Sequence, residues 1–372
     1  MKVAIMGAGI GGLALAQGLR KAGVEVTVYE RDPSPQYRKQ GYRIHISPVG
    51  EEALAAMLPD AVRRRVIATA TRPGDLVAGF DAQLNQQFEQ LYPVSGPDAV
   101  TSVDRYAFRR ALMTGLDDVL RFGKQFTSYA ETADGVQIAF ADGTSAIADV
   151  LVGADGVGSR VRGQLVPALD VVDIGVRCLY GKVPLTPAVR EIVPESFLRG
   201  FCFVSDGAGL GAAFAPVVFR EPPAEYGDYL MAVLTGTNAV LGAPDEELFE
   251  LPAGELWALV ARSVGEWHPA IRALVDAGEA KAAFPITLRT CITVPTWSSS
   301  RVTLLGDAVH PMTPAAGAGA NTALWDAARL TRALTSGKDL TTYQQEVVAN
   351  GQSIVTESLQ NAERMFNVSI AA

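Results

Sequence analysis

The stretch Gly7-Ala8-Gly9-Ile10-Gly11-Gly12 constrains this chain more than any other. It follows the apolar run Val3-Ala4-Ile5-Met6, which reads as a short buried strand. It precedes Leu13-Ala14-Leu15-Ala16, whose spacing continues as a helix to Leu19. Strand, glycine loop and helix in that order give G-x-G-x-x-G its meaning. Gly7 permits the tight turn, Gly9 lets backbone approach a pyrophosphate, and Gly12 lets helix and strand pack closely. The positive end of the helix then faces the phosphates. A second strand, Val24-Glu25-Val26-Thr27-Val28-Tyr29, ends in Glu30, at about the spacing of twenty residues expected of a ribose-binding carboxylate. Residues 1–32 therefore read as a dinucleotide site. The acidic strand end, followed by the loop Arg31-Asp32-Pro33-Ser34-Pro35, favours FAD or NAD over NADP.

Composition narrows the classes. The 372 residues suit one large domain or two intertwined ones, and 48% apolar content allows a sizeable core. A net charge of −8 argues against a nucleic-acid surface. No apolar run reaches the roughly 18 residues of a membrane span, and the apolar start reads as a strand, not a signal peptide. Cys178, Cys202 and Cys291 have no metal-type spacing and read as buried thiols of a reducing cytoplasm. His45, His268 and His310 are equally scattered, so no metal site is expected.

Further along, Tyr42, Ile44 and Ile46 share one face of an alternating segment, and Arg43 and His45 the other. A polar sheet face is the plainer reading of Arg43 and His45. Ser47 can cap a helix begun by Pro48. Residues 71–97 are mixed and read as an excursion, and 104–112 read as a helix with Arg105 at its start. A hairpin (135–140 and 145–150) leads into Val150-Leu151-Val152-Gly153-Ala154-Asp155-Gly156, a second strand running into a glycine turn. Asp155, Ser159 and Arg162 would cluster at its carboxyl end, where open α/β sheets bind ligands. From about 173 to 285 strand-like segments dominate: Ile174–Tyr180, Phe197–Val204, Gly211–Phe219 and Tyr229–Leu234, followed by helix from Asp245 to about Ala277. This region reads as an antiparallel sheet with a greasy face suited to a bulky, largely apolar ligand. At Arg301-Val302-Thr303-Leu304-Leu305-Gly306-Asp307 the first pattern returns, running into Pro314 and a glycine-rich helix start whose small residues and dipole suit a flat, anionic ring.

Three motifs in this order resemble the single-component (class A) FAD-dependent aromatic monooxygenases, the family of p-hydroxybenzoate hydroxylase. They are Gly7-x-Gly9-x-x-Gly12 with Glu30; Asp155-Gly156-x-x-Ser159-x-x-Arg162; and Gly306-Asp307-Ala308-x-His310-x-x-x-Pro314-x-x-Gly317-x-Gly319-x-Asn321. The resemblance spans residue 1 to about 345 and is strongest to short members that modify antibiotics or polyketides, including the tetracycline-modifying hydroxylases. It implies an α/β, Rossmann-like (glutathione-reductase-type) FAD domain over 1–70, 98–172 and 286–340. A mainly antiparallel substrate domain would occupy 71–97 and 173–285, with a C-terminal helix over 341–372.

The resemblance also implies site roles. The N-terminal glycines would hold the pyrophosphate, Glu30 the adenosine ribose with Arg31 beside it, and Phe126 the adenine by main chain. Asp155 would assist FAD and a visiting NAD(P)H, and Asp307 would bind the ribityl chain or neighbouring ribose. Pro314, Gly317, Gly319, Ala320 and Asn321 would line the flavin ring. Arg105 would contact the flavin, and Arg43 and His45 would pass beside the ring, His45 as the nearest candidate base for a phenol. The implied reaction is NAD(P)H-driven reduction of FAD, formation of a flavin 4a-hydroperoxide from dioxygen, and transfer of one oxygen atom to an aromatic or polyketide-like substrate. Hydroxylation and Baeyer–Villiger insertion both remain open, and a monomer or homodimer is expected. The alternatives are a flavin reductase without oxygen insertion and a non-catalytic flavin- or drug-sequestering protein.

Overall fold

The computed structural model describes residues 1–37, 41–93, 96, 98–337 and 340–370. The first sheet has five parallel strands in the order Val302–Leu304, Val150–Gly153, Lys2–Met6, Glu25–Tyr29, Leu120–Arg121. Its central strands are near-continuous apolar runs because both faces are covered; Val3, Ala4, Ile5 and Met6 are all buried. The helices Ile10–Lys21 and Gly319–Thr335 pack on each other on one side. Gly18 permits that approach: a Cβ there would stand 2.7 Å from Thr331 Oγ1. A three-stranded antiparallel sheet, Ser145–Ala148, Gly135–Phe140 and Phe126–Thr132, contains the expected hairpin.

The topology brings the three motif strands together. Lys2–Met6 lies between Glu25–Tyr29 and Val150–Gly153, and Val302–Leu304 flanks the latter. Because the strands are parallel, the loops at 7–12, 154–159 and 305–310 leave the same edge of the sheet. Segments about 150 residues apart in sequence thus form one rim.

A seven-stranded sheet forms the second layer. Its order is Phe284–Thr290, Val172–Pro184, Tyr229–Thr237, Gly211–Val217, Gly200–Ser205, Leu76–Asp81, Gln86–Leu91. The 71–97 excursion thus supplies two strands of the same sheet. One face, including Leu179, Leu230, Leu234 and Phe214, packs against the helices Ala253–Ser263 and Pro269–Asp276. The alternate residues, including Cys178, Tyr180, Ala213, Met231 and Val233, face Ala107, Ala315 and the end of the helix Leu340–Phe366. All three cysteines are free and buried.

Two local expectations change. The segment read as a strand from Phe197 is helical over Glu195–Arg199 and becomes a strand at Gly200. Pro194 starts that turn, and Phe197, fully buried, stacks on Phe214 at 4.8 Å. Burial of such a ring contributes about 2–3 kcal/mol, which outweighs its strand propensity. The sheet also contains a parallel pair, Gly200–Ser205 with Leu76–Asp81. The expected domain cut between 97 and 98 and the chain's last two residues touch positions outside the described residues.

Candidate functional site

The glycine loop is built as its sequence requires. Gly7 has φ +110°, and a Cβ there would stand 2.3 Å from the Ala154 carbonyl oxygen. A Cβ on Gly12 would stand 2.1 Å from the carbonyl oxygen of Gly7, so only glycine lets the helix sit this close to the turn. Gly9 differs, because a Cβ there would meet nothing within 4 Å. Its missing side chain leaves open space at the N-terminus of the helix Ile10–Lys21, which no side chain caps. That is an electropositive, unfilled cradle.

Glu30 closes one side of the cradle. Its carboxylate accepts the Ala8 N–H at 2.9 Å and the Asp32 N–H at 3.0 Å. Arg109, buried in the helix Arg105–Met113, braces the loop from beneath. It donates to the Ala8 carbonyl at 2.8 Å and the Pro35 carbonyl at 3.0 Å, with Glu30 3.9 Å away. The resulting cleft of about 280 Å³ is lined by the glycine loop, Glu30, Arg31, Arg105, Phe126 and Asp155, among others.

The second and third motifs are joined through Arg162. Asp155 accepts from the Ser159 hydroxyl and from the Arg160 N–H at 2.8 Å, and Ser159 caps the Arg162 N–H. Arg162 then donates to the carbonyls of Val157, Asp307 and Ala308 at 2.7, 3.3 and 3.2 Å. Beneath this loop lies a fully buried pair, with His310 Nε2 and Asp326 Oδ2 2.7 Å apart. The same Asp326 oxygen accepts the Gly306 N–H at 2.7 Å. Burial alone would push the His310 imidazole down, but the charges of Asp326 and Asp307 and the hydrogen bond to Asp326 prevail and raise it.

Asp307 is the free group of this rim. Water reaches it and, among the described residues, no protein donor bonds its carboxylate. It stands in a concave site nonetheless, so crowding by protein atoms raises its pKa, against the pull of His310, Arg105 and Arg162. Gly319 lies beside it; a Cβ there would be 3.8 Å from Asp307 Oδ1. Pro314 and Gly317 are exposed, while Gly319 and Ala320 are half-buried at the start of the next helix.

The Asn321 side chain turns back onto its own loop and the neighbouring strand. Its amide donates to the carbonyls of His45 and Gly317 at 3.0 and 3.2 Å and accepts the Ser47 N–H at 2.9 Å. The side chain therefore ties the loop to the strand Arg43–His45, leaving main chain to face a ligand.

Opposite this rim is the apolar sheet face, with a charged cluster at its edge. Asp104, fully buried, caps the Ala107 N–H and accepts from the hydroxyls of Tyr226 and Tyr229, both at 2.6 Å. Lys182 lies 3.6 Å from Asp104 and over both tyrosine rings at 4.2 and 4.1 Å. Tyr180 stacks on Phe284 at 5.3 Å, Tyr42 lies 5.1 Å from Tyr180, and Arg105 stands 5.8 Å over Tyr42. Arg43 is half-buried beside Tyr229, and desolvation pushes its guanidinium down to about 10. His45 is exposed; surrounding protein and the Arg43 charge lower its pKa.

The structure thus gathers Gly7, Gly9, Glu30, Arg31, Arg105, Phe126 and Asp155 in one cleft, with Gly12 packed beneath it and Asp307 and 314–321 on the adjoining rim. Arg43 and His45 lie outside the cleft lining, Arg43 beside Tyr229 of the apolar face. Sequence reasoning missed Arg109, Asp326 and the Asp104 cluster. The Asp104-x-x-Ala107 capping position was readable; the others show only through long-range contacts. Among the described residues no cluster of His, Cys, Asp and Glu could hold a metal, and no helix is long and apolar enough to cross a membrane.

Three loops at one sheet edge, facing a second sheet's apolar side, define a dinucleotide-binding fold. The family model described as FAD binding domain matches residues 1–170 and 271–358, and the chain belongs to this FAD-binding family. It is 36% identical over 364 residues to the dual O-methyltransferase/FAD-dependent monooxygenase CTB3 of Cercospora beticola. That match covers 89% of this chain but 42% of the relative, so the chain spans less than half of that protein. It is 29% identical to 6-hydroxynicotinate 3-monooxygenase of Bordetella bronchiseptica, over 89% of this chain and 82% of that protein. The crystal structure of a candidate FAD-containing monooxygenase from Photorhabdus luminescens superposes with a TM-score of 0.84 at 33% identity, covering 99% of both chains. The fold is that of the p-hydroxybenzoate-hydroxylase-type flavoenzymes, as the three motifs imply.

Proposed function

We propose that the protein consumes NAD(P)H and dioxygen to insert one oxygen atom into an aromatic or polyketide-like small molecule. The observation that carries this reading is the meeting of the three motif loops opposite the apolar face of the seven-stranded sheet. FAD, when bound, supplies electron transfer from the nicotinamide and the activation of dioxygen. The net balance is substrate, dioxygen, NAD(P)H and a proton giving oxygenated substrate, NAD(P)+ and water.

The chain's own residues fit that cofactor. The cradle at Gly9 and the uncapped helix N-terminus suit a pyrophosphate. Each Glu30 oxygen accepts one backbone N–H and keeps a second acceptor position for a ribose hydroxyl. Asp307, without a protein donor among the described residues, suits the ribityl hydroxyls, and main chain at 317–321 suits the ring carbonyls. Asp155, already capping its own helix, acts mainly by shaping the second loop. His45, its pKa lowered, is the candidate proton acceptor for a substrate phenol. The apolar face excludes water from the reacting centre. The two sheets are proposed to act as an FAD domain and a substrate domain, interleaved along the chain. The fusion of related monooxygenases to an O-methyltransferase supports a product that carries a methylatable hydroxyl.

The test is anaerobic mixing of the purified yellow protein with NADH or NADPH, with and without phenolic compounds. Substrate-accelerated bleaching, followed by oxygen uptake on exposure to air, supports the proposal. Bleaching that leads to a reduced substrate without oxygen uptake favours the reductase reading.

A further inference from the structure

We infer that His310 and Asp326 form a positioning pair for FAD: the proton they share keeps the floor of the Asp307 rim neutral, and its loss weakens the hold on the cofactor. The inference rests on the placing of FAD along this rim and goes beyond it, because neither residue lines the cleft. Both side chains are fully buried, with His310 Nε2 2.7 Å from Asp326 Oδ2. That oxygen also accepts the N–H of Gly306, the residue before Asp307, at 2.7 Å. The other oxygen, Oδ1, is shielded from solvent and has no hydrogen-bond partner among the described residues. His310 closes the loop on itself, since its backbone N–H donates to the Gly306 carbonyl at 3.1 Å. Its ring is clamped from the far side: a Cβ on Gly351, in the helix Leu340–Phe366, would stand 2.8 Å from His310 Cδ2. The imidazole therefore has no room to swing away when its charge changes.

The groups around the pair leave the neutralising task to His310. Among the described residues no other cation forms an ion pair with Asp326. Asp307, on the same loop, feels the charges of both partners. Arg162, from the helix Arg160–Leu165, donates to carbonyls of the loop, and Arg105 acts on Asp307 from the cleft. The helix Leu340–Phe366 brings Tyr343, whose burial keeps it a neutral phenol, bonded to the Leu304 carbonyl. Cys291, whose backbone N–H donates to the Pro311 carbonyl, is a thiol pushed up to about 12 by burial. With the proton in place the pair carries no net charge. Without it Asp326 is a bare carboxylate in surroundings of low dielectric, and an anionic ligand on the rim meets one more negative charge. A single added charge in such surroundings changes the affinity of an anion roughly tenfold. Burial favours the neutral imidazole, but the charges of Asp326 and Asp307 prevail, so the change falls above about pH 6.5.

The experiment titrates apoprotein with FAD by flavin fluorescence between about pH 6 and pH 9.5. Wild type weakens roughly tenfold as pH rises through the folded value of His310. Asp326→Asn keeps an acceptor for Gly306 but removes the charge, and binds at the tighter level throughout. His310→Gln keeps a donor for Asp326 but removes the proton, and binds at the weaker level throughout. A pair that only braced the loop would weaken both variants alike and leave the wild-type slope in each; that result, or a wild type with no slope, overturns the inference. A second readout needs no variant. His310 is the fully buried one of three histidines, and in isotope-labelled wild type its ring resonance titrates about one pH unit higher with FAD bound, the reciprocal of a tenfold change. A His310 titration that FAD leaves unmoved, or none in this range, also overturns it. Wild-type protein that takes up no FAD at any pH contradicts the placing of FAD itself.

Discussion

Arg162 donates its guanidinium hydrogens to the main-chain carbonyl of Asp307, 145 residues away, at 3.3 Å. Two further bonds, to Val157 and Ala308, make it a pin between the second and third motif loops. The loop carrying the free carboxylate of Asp307 is therefore held by its neighbour and, from below, by Asp326. The rim is a rigid unit assembled from distant segments, and its parts should fail together.

Arg162→Ala leaves three carbonyls without their donor. It should lower stability by about 3 kcal/mol and reduce the FAD retained on purification. Arg162→Lys cannot span the three acceptors and should recover little of either. Urea unfolding and FAD stoichiometry check this; a variant with full stability and full FAD would show the pin to be dispensable.

The glycines separate packing from ligand approach. Gly12→Ala would force a Cβ to within 2.1 Å of backbone, so it should destabilise the protein with or without FAD. Gly9→Ala meets only open space and should leave the melting temperature of the apoprotein nearly unchanged while weakening FAD binding. Apoprotein melting curves and FAD titrations distinguish the two; equal effects from both would count against the cradle.

Glu30→Ala removes the acceptor of two backbone N–H groups as well as a ribose partner. FAD affinity should fall about tenfold to a hundredfold, the range for losing charge-assisted hydrogen bonds. Glu30→Gln should fall between. Fluorescence titration of apoprotein with FAD reads the effect, and unchanged affinity would remove Glu30 from the site.

The buried His310–Asp326 pair carries a pH dependence. The folded-state pKa of His310 lies above its ordinary value of 6.5, so the stabilisation from the charged pair is fully present below about pH 6.5 and is lost as pH rises through the folded value. Wild type should therefore lose its advantage over His310→Gln as pH rises through that window. Denaturation curves of both proteins across pH check the sign; a gap that widens with rising pH would contradict it.

Much of this site was legible because each motif is local: turn glycines, a strand end and a helix start announce themselves within a dozen residues. What stayed hidden depends on contacts across the fold. Arg109 follows Phe108 in an ordinary helix and gains its role only when the glycine loop lands on it. Asp326 looks like a surface residue of a helix but is fully buried under Gly306. Asn321 carried a motif position yet serves as a tie, which only the course of the strand Arg43–His45 reveals. The helix Pro187–Ile192 was readable from Thr186-Pro187, a cap followed by a helix-starting proline. The helical turn at Phe197 was not, because its ring answers to Phe214 on another strand.

The central claim is oxygen transfer from dioxygen. The most direct measurement is the mass of the product formed by FAD-loaded protein with NAD(P)H and an accepted phenolic substrate under isotopically heavy dioxygen in ordinary water. The account predicts a product that gains one heavy oxygen atom per turnover. A product with oxygen from water, or a reduced product with none added, would contradict it.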